Sequence, residues 1–293
     1  MRAIDEELAW RLLLCARRQR QNLPDASCFH LALAEDGAPQ PADRVDALIT
    51  LAPQGWSARA AVTPLAAMLL DLYHPLLCFQ GPHFVIGHLG QSLDGKIATL
   101  TGGSQHLNGP ANILHLHRLR ALSDAVLVGA NTVFHDDPQL TTRLAPGDNP
   151  VRIVLDPRRR LNGRFRLFTD QAAPTVIVCR QDCAGSRPAP AGVEVIGLPA
   201  DAGGRLPLPA LLEQLRARRL HALFVEGGGV TVSAFLQARL LDQLHIAIAP
   251  LIIGSGCAGI QLMPVTSLAG ALRPRVNIFP MGADVLFVCF FKG

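Results

Sequence analysis

The sequence predicts an α/β domain, one sheet with helices on both of its faces. Three observations predict it. From residue 84 onward, short β-branched or apolar runs alternate with helical patterns, as in βαβ units. The runs at residues 125–128 and 222–225 are apolar without alternation, which marks strands buried on both sides. One run, Leu223-Phe224-Val225-Glu226, passes directly through Gly227-Gly228-Gly229 into a helix. That is where open α/β sheets bind ligands.

The elements follow in order. Residues 3–20 read as a helix, because Ile4, Leu8, Leu12, Leu13, Cys15 and Ala16 form an apolar stripe. Arg17, Arg18 and Arg20 gather at its C-terminal end, where they suit the helix dipole. A Pro/Gly/Asp-rich patch at 36–44 precedes a strand at 47–51, and a second apolar helix covers 65–72. Residues 1–83 thus form a mixed N-terminal extension to which the sequence assigns no chemistry. Within 84–293, strands are expected at 84–89, 125–128, 151–155, 175–178, 193–196, 222–225, 244–248 and 285–291. Helices are expected at 110–122, 209–219 and 231–241, with a short helical turn at 131–135. Pro110 suits the first turn of its helix, and Arg118 and Arg120 suit its end.

Composition narrows the function. Of 293 residues 49% are hydrophobic and 17% charged, enough to bury a large core and too apolar for global disorder. A net charge of +4 with few aromatics does not describe a nucleic-acid binder, and it suits anionic small molecules. All but two of the 27 basic residues are arginine, a skew that reads as base composition more than function. No signal peptide and no apolar run of about 20 residues is present, so no membrane association is expected. The seven cysteines are scattered and odd in number, which points to reduced thiols and a cytoplasmic location. Cys179 and Cys183 lack the partners of a zinc set, and no metal is expected.

Three segments carry candidate chemistry. In Gly227-Gly228-Gly229, the glycines let backbone N–H groups approach phosphate oxygens at a helix N-terminus. A plain tight turn would use the same glycines, and position 232 is Val, so this is not the G-x-G-x-x-G fingerprint. The neighbouring acid Glu226, at a strand's C-terminal end, favours a ligand. A second strand-to-helix turn, Val128-Gly129-Ala130-Asn131-Thr132, leads to Asp136-Asp137-Pro138, either an ordinary turn or a holder of ribose hydroxyls or an amide. The third segment runs from Gly90 through Asp94-Gly95-Lys96 and a polar loop at 102–109 to a helix with His115, His117, Arg118 and Arg120. Its histidines lack an acid or Cys to complete a metal shell and lie on different helix faces, so they read as solvated or core-edge residues.

Together and in this order, Gln91-Ser92-Leu93-Asp94-Gly95-Lys96, His117-Arg118-Leu119-Arg120-Ala121, Asp124 to Gly129, Thr132-Val133, Asp136 to Thr141, Arg143, Arg152 to Asp156 and Val225-Glu226-Gly227-Gly228 resemble the reductase half of the bifunctional riboflavin-biosynthesis deaminase/reductase family. The resemblance covers about residues 84–291. It implies a dihydrofolate-reductase-like, mostly parallel sheet that binds NADPH and reduces the opened ribose of a phosphoribosylaminopyrimidine to a ribitol chain. It implies cofactor contacts at Gly90, Thr132, Asp136, Pro157, Arg158, Gly228, Gly229, Val230, Thr231, Val232, Ser233 and Ala234. It implies substrate contacts at Ser104, His106, Arg120, Leu140, Arg143 and Glu226. Asp136 and Glu226 are the candidate catalytic residues, with the proton donor left open.

Physical chemistry agrees with several of these roles. Arg120 and Arg143 can grip a phosphate bidentately, and Glu226 can accept from sugar hydroxyls. Arg158-Arg159-Arg160, after a strand, can meet a 2′-phosphate. Left as an exposed edge, the apolar terminal strand at 285–291 would be an aggregation hazard, and a homodimer across a two-fold axis is expected to cover it.

The sequence departs from the family in three places. The family usually has Trp where His106 stands and often Lys where His88 stands. Residues 1–83 contain neither the His-x-Glu nor the Pro-Cys-x-x-Cys set that a zinc deaminase needs. A reductase without deamination is therefore expected. The alternatives are a reductase of a pteridine-like or other small heterocycle and a non-catalytic nucleotide-binding protein.

Overall fold

The computed structural model describes residues 3–103 and 107–291. It divides into two compact units, Met1–Phe84 and Val85–Gly293.

The first unit pairs two helices with a small antiparallel sheet. Helix α1 (Glu6–Asn22) starts at Asp5, whose side chain accepts the Leu8 N–H at 2.9 Å. The sheet has the order β2-β1-β3-β4, from β1 (Phe29–Leu33), β2 (Pro39–Pro41), β3 (Ile49–Ala52) and β4 (Gly55–Ala58). Helix α2 (Pro64–Leu77) is capped by Thr63 and begins with proline, which lacks only an N–H that a first turn leaves unpaired. Trp10 packs edge-on against Tyr73 at 5.9 Å. The buried Arg20 side chain donates from Nη1 to the carbonyls of Ala26, Leu77 and Phe79 at 2.8, 2.8 and 3.1 Å. Arg20 was read as a helix-end charge and is in fact a buried staple. The strands β1, β2 and β4 escaped the sequence reading, because β2 lies inside the Pro/Gly/Asp-rich patch taken for a loop.

The second unit is a βαβ array. Its elements are β5 (Phe84–Ser92), β6 (Lys96–Thr99), α3 (Pro110–Leu122), β7 (Ala125–Gly129), α4 (Ala130–Asp136), β8 (Val151–Leu155), α5 (Arg166–Thr169), β9 (Thr175–Arg180), β10 (Val193–Leu198), α6 (Leu208–Ala217), β11 (Ala222–Glu226), α7 (Gly229–Gln237), β12 (Gln243–Ala249), β13 (Gly256–Ala258), β14 (Arg275–Met281) and β15 (Asp284–Phe290). The nine-stranded sheet has the order β10-β9-β8-β7-β11-β5-β12-β15-β14. The pairs β10–β9, β9–β8, β8–β7, β7–β11 and β5–β12 are parallel, while β12–β15 and β15–β14 are antiparallel. Ala125 to Val128 and Ala222 to Val225 are buried without alternation, as expected of strands covered on both faces. Leu127, Ile153, Leu223, Val225, Val232 and Phe235 lie in one continuous core.

The terminal strand departs from its expected setting. β15 lies between β12 and β14, so the sheet edge falls to β14. Pro280 and the alternating polar residues of β14 hid it in the sequence. Its Val276 and Ile278 remain 40% and 61% exposed.

Candidate active site

The C-terminal ends of β5 and β11 open onto a cleft of about 560 Å³. Its lining includes His88, Gly90, Asn112, Asp136, Leu140 and Glu226. Gly90 is required by a close approach, since a Cβ there would stand 1.7 Å from Asn108 Oδ1. Asn108 in turn donates to Ala247 O at 3.3 Å and Asp284 Oδ2 at 3.2 Å, and the Gly109 N–H donates to the same carboxylate at 2.8 Å. The loop from 107 to 109 is thereby tied to the sheet.

The glycine loop has the backbone of an anion cradle. Gly227 and Gly228 have φ of +66° and +71°, and no side chain caps α7. A Cβ on Gly229 would meet Gly259 O at 2.2 Å. The turn into α4 interlocks with it. A Cβ on Gly129 would lie 2.5 Å from Thr231 Oγ1, and one on Gly228 would lie 2.9 Å from Thr132 Oγ1. Backbone N–H groups at an uncapped helix start, beside a glycine turn open to a cleft, suit the phosphates of a dinucleotide. Farther along α7 the side chains serve the protein: Val232 is in the core and Ser233 Oγ accepts from the Gln261 N–H at 2.8 Å. Val230 is exposed, Thr231 half-buried and Ala234 exposed.

The two acids of the second turn separate. Asp136, exposed, lines the cleft. Asp137 closes α4 in the left-handed region, and its carbonyl accepts from Arg166 Nε and Nη2 at 2.8 and 2.6 Å. Leu140 lines the cleft from a left-handed backbone with φ of +56°.

The two expected phosphate-gripping arginines also separate. Arg120 is 7% exposed, and its Nε donates to Glu226 Oε2 at 2.7 Å while Nη2 makes a second, shorter bond to Oε1. Its Nη1 donates to Thr141 O at 2.9 Å. Arg120 and Glu226 therefore form a bidentate pair in the cleft floor. Arg143 is exposed, its Nη1 donates to Thr141 Oγ1 at 2.8 Å, and among the described residues it forms no ion pair. Burial, Arg120 and Arg166 all hold the Arg143 pKa below its ordinary value, so an anion placed there would relieve like-charge repulsion.

The three successive arginines divide as well. Arg159 is buried and donates to the carbonyls of Ala184, Arg187 and Pro188 at 2.7, 3.3 and 3.2 Å, a loop-holding role that charge alone did not reveal. Arg158 and Arg160 are exposed, Pro157 is half-buried, and Arg160 Nη2 donates to Asn131 Oδ1 at 2.9 Å on the cleft wall. The expected contacts Ser104 and His106 lie outside the described residues. No group of three or more His, Cys, Asp or Glu could hold a metal among the described residues.

Sequence reasoning missed a buried polar cluster beneath the cleft. His88 Nε2 lies 3.1 Å from Asn112 Oδ1, His115 Nε2 lies 3.0 Å from His245 Nδ1, and His245 Nε2 lies 3.0 Å from Gln243 Oε1. All five residues are buried. Burial lowers the pKa of His88 to about 4, of His245 to about 3, and of His115 well below the ordinary value. The partners lie 24 and 130 positions apart, so no local pattern announces them.

The RibD C-terminal domain family matches residues 83–276. The chain belongs to this family. A 2,5-diamino-6-ribosylamino-4(3H)-pyrimidinone 5′-phosphate reductase of Methanothermobacter thermautotrophicus is 36% identical over 220 residues, 72% of this chain and 99% of that protein. The riboflavin biosynthesis protein RibD of Aquifex aeolicus is 35% identical over 69% of this chain, which spans 55% of that protein. Among solved structures, a diaminohydroxyphosphoribosylaminopyrimidine deaminase/5-amino-6-(5-phosphoribosylamino)uracil reductase of Thermotoga maritima superposes with a TM-score of 0.61 at 26% identity, over 79% of this chain and 64% of that one.

Proposed function

We propose that this chain is an NADPH-dependent reductase that converts the ribose of a phosphoribosylaminopyrimidine to a ribitol chain, as a step of riboflavin biosynthesis. The observation that carries the reading is the cleft itself, where a glycine cradle adjoins a carboxylate fixed by Arg120, with Arg143, in no ion pair among the described residues, near enough to feel both charges. The residues fit the cofactor by their backbone. Gly90, Gly227 and Gly228 line the cleft with bare backbone before the uncapped start of α7, and Arg158 and Arg160 offer exposed charge to a 2′-phosphate. The bound reduced nicotinamide supplies the hydride that reduces the opened sugar. The chain's own residues bind and orient: Arg143 takes the substrate phosphate, Glu226 accepts from sugar hydroxyls, and Arg120 fixes Glu226 while adding positive field. Asp136 sits at the cleft mouth, where it can orient the ribosyl part or the cofactor amide.

The substrate form is the diamino pyrimidinone rather than its deaminated product. The Methanothermobacter relative, matched over nearly its whole length, bears the diamino substrate in its name, and residues 1–83 lack the deaminase zinc set. NADPH oxidation with each form offered separately tests this. Preferential turnover of the diamino phosphate supports it. Turnover only of dephosphorylated pteridine-like compounds would transfer the chain to the heterocycle-reductase alternative. We further infer a homodimer packed over β14 and the adjoining exposed apolar residues, and a cytoplasmic location consistent with seven free cysteines. A monomeric mass by light scattering at micromolar concentration would exclude the dimer.

A further inference from the structure

Beside Asn112, a second buried polar side chain lines the cleft, His88. It is 3% exposed and lines the cavity. Its Nε2 faces Asn112 Oδ1, a carbonyl oxygen that can only accept, so the ring proton sits on Nε2. Nδ1 is then a lone-pair acceptor, and it bonds to none of the described residues.

The neighbouring elements add no charge that would draw a second proton to this ring. From β12, His245 stands directly opposite His88 in the parallel register. Gln243 Oε1 takes the Nε2–H of His245, so His245 Nδ1 must accept from His115 Nε2–H of α3. Burial holds the pKa values of both rings down, so neither carries a charge at neutral pH. From β11 come Phe224, whose ring meets His88 edge-on at 6.5 Å, and Glu226. Among the described residues Glu226 is the anion near enough to stabilise an imidazolium, but it is bound bidentately by Arg120 of α3. The pair leaves no net charge to draw a second proton to His88.

We propose that His88 is a specificity-determining residue of this cleft, held in its Nε2–H form by Asn112, whose Nδ1 accepts one hydrogen bond from an uncharged N–H or O–H of the substrate. This rests on the reading of the cleft as a substrate pocket. A fixed ammonium at this position would instead donate, and would favour a carbonyl or an anion. The cleft floor is thus tuned to a sugar hydroxyl or an amino group, while anion recognition is left to the rim.

The test combines spectroscopy and kinetics. In protein labelled with [15N]histidine, the His88 signals, identified by their loss in His88→Phe, should show the neutral Nε2–H tautomer from pH 5.5 to 8. Saturation with 2,5-diamino-6-ribosylamino-4(3H)-pyrimidinone 5′-phosphate should shift the Nδ1 resonance toward its hydrogen-bonded value. His88→Phe should raise KM roughly threefold to tenfold, the loss expected of one neutral hydrogen bond, with NADPH affinity unchanged. Asn112→Asp supplies an anion to Nε2–H and should bring His88 titration into the measured range, so that KM climbs as pH falls, whereas the parent KM stays flat. An Nδ1–H tautomer, an imidazolium, an unmoved Nδ1 resonance or an unchanged KM in His88→Phe would each overturn the proposal. Failure of the parent enzyme to turn over any pyrimidinone phosphate would remove the reductase reading, and the tautomer in ligand-free protein is measured independently of it.

Discussion

The floor and the rim of the cleft use polar residues in opposite ways. In the floor, Arg120, Glu226, His88, Asn112, His115, His245 and Gln243 are enclosed and bonded to one another. The contrasting set, called the rim, is exposed: Asp136 in the cleft lining, and Arg143, Arg158 and Arg160 outside that lining. A buried polar group costs free energy unless its partners are in place, so the floor is a matched set that tolerates little. An exposed cation costs almost nothing to keep waiting for a ligand. The floor therefore carries stability and geometry, and the rim carries charge recognition.

The largest expected effect is on the floor and follows from pH. His88, His115 and His245 have folded pKa values below the unfolded one, so between those values the unfolded chain binds more protons. Their stabilising contribution is complete above about pH 6.5 and is lost as pH falls toward the folded values, about 4 for His88 and about 3 for His245, at about 1.4 kcal/mol per pH unit for each ring. Thermal unfolding of the reductase unit should show a steep drop in Tm from pH 7 to pH 5. A flat Tm over that range would mean that the three rings are solvated and that the floor does not differ from the rim.

Next in size is Glu226→Ala, which strands the buried Arg120 guanidinium and should cost about 3–5 kcal/mol in urea unfolding. Arg143→Ala on the rim should leave stability within about 0.5 kcal/mol. Its effect belongs to substrate: roughly ten- to hundredfold in kcat/KM, from a charge-assisted contact of about 1.5–3 kcal/mol, with NADPH affinity nearly unchanged. Part of that loss should appear in kcat if phosphate binding positions the reacting carbon. Equal reaction of phosphorylated and dephosphorylated substrate would remove the phosphate role of Arg143. The smallest effect is expected of Arg158→Ala, a roughly tenfold weaker preference for NADPH over NADH by calorimetry, with no change in stability. Equal affinity of the unsubstituted protein for both cofactors would show that exposed charge after β8 is only solvated charge.

The same division explains what could be read beforehand. The βαβ strands, the glycine turn and the acid before it are written in contiguous residues, and the structure has them at the expected places. Burial of individual charges is not contiguous information. Arg158, Arg159 and Arg160 look alike in the sequence, yet a left-handed backbone at Arg159, φ +52°, turns that side chain inward onto three carbonyls. Arg120 and Arg143 looked like a matched pair, but Glu226, 106 residues from Arg120, claims only one of them. His115 was read as a solvated or core-edge histidine because its partner is on β12. The terminal strand was read correctly as apolar, and its neighbour β14 was invisible because half of its residues face solvent.

The interlocked turns above the cleft have a consequence for how this wall can change over generations. Gly129 faces Thr231, and Gly228 faces Thr132, each at a distance that leaves no room for a methyl group. Alanine at either glycine collides with a threonine of the opposite turn, and at Gly228 it also meets an unfavourable φ. Variation at Gly129 therefore requires the Thr231 hydroxyl to turn aside, and it is easier once Thr231 has become smaller. A library that samples these four positions one at a time should find Gly129→Ala rarely and Gly228→Ala not at all. One that shrinks Thr231 beforehand should recover folded Gly129→Ala variants and none at Gly228.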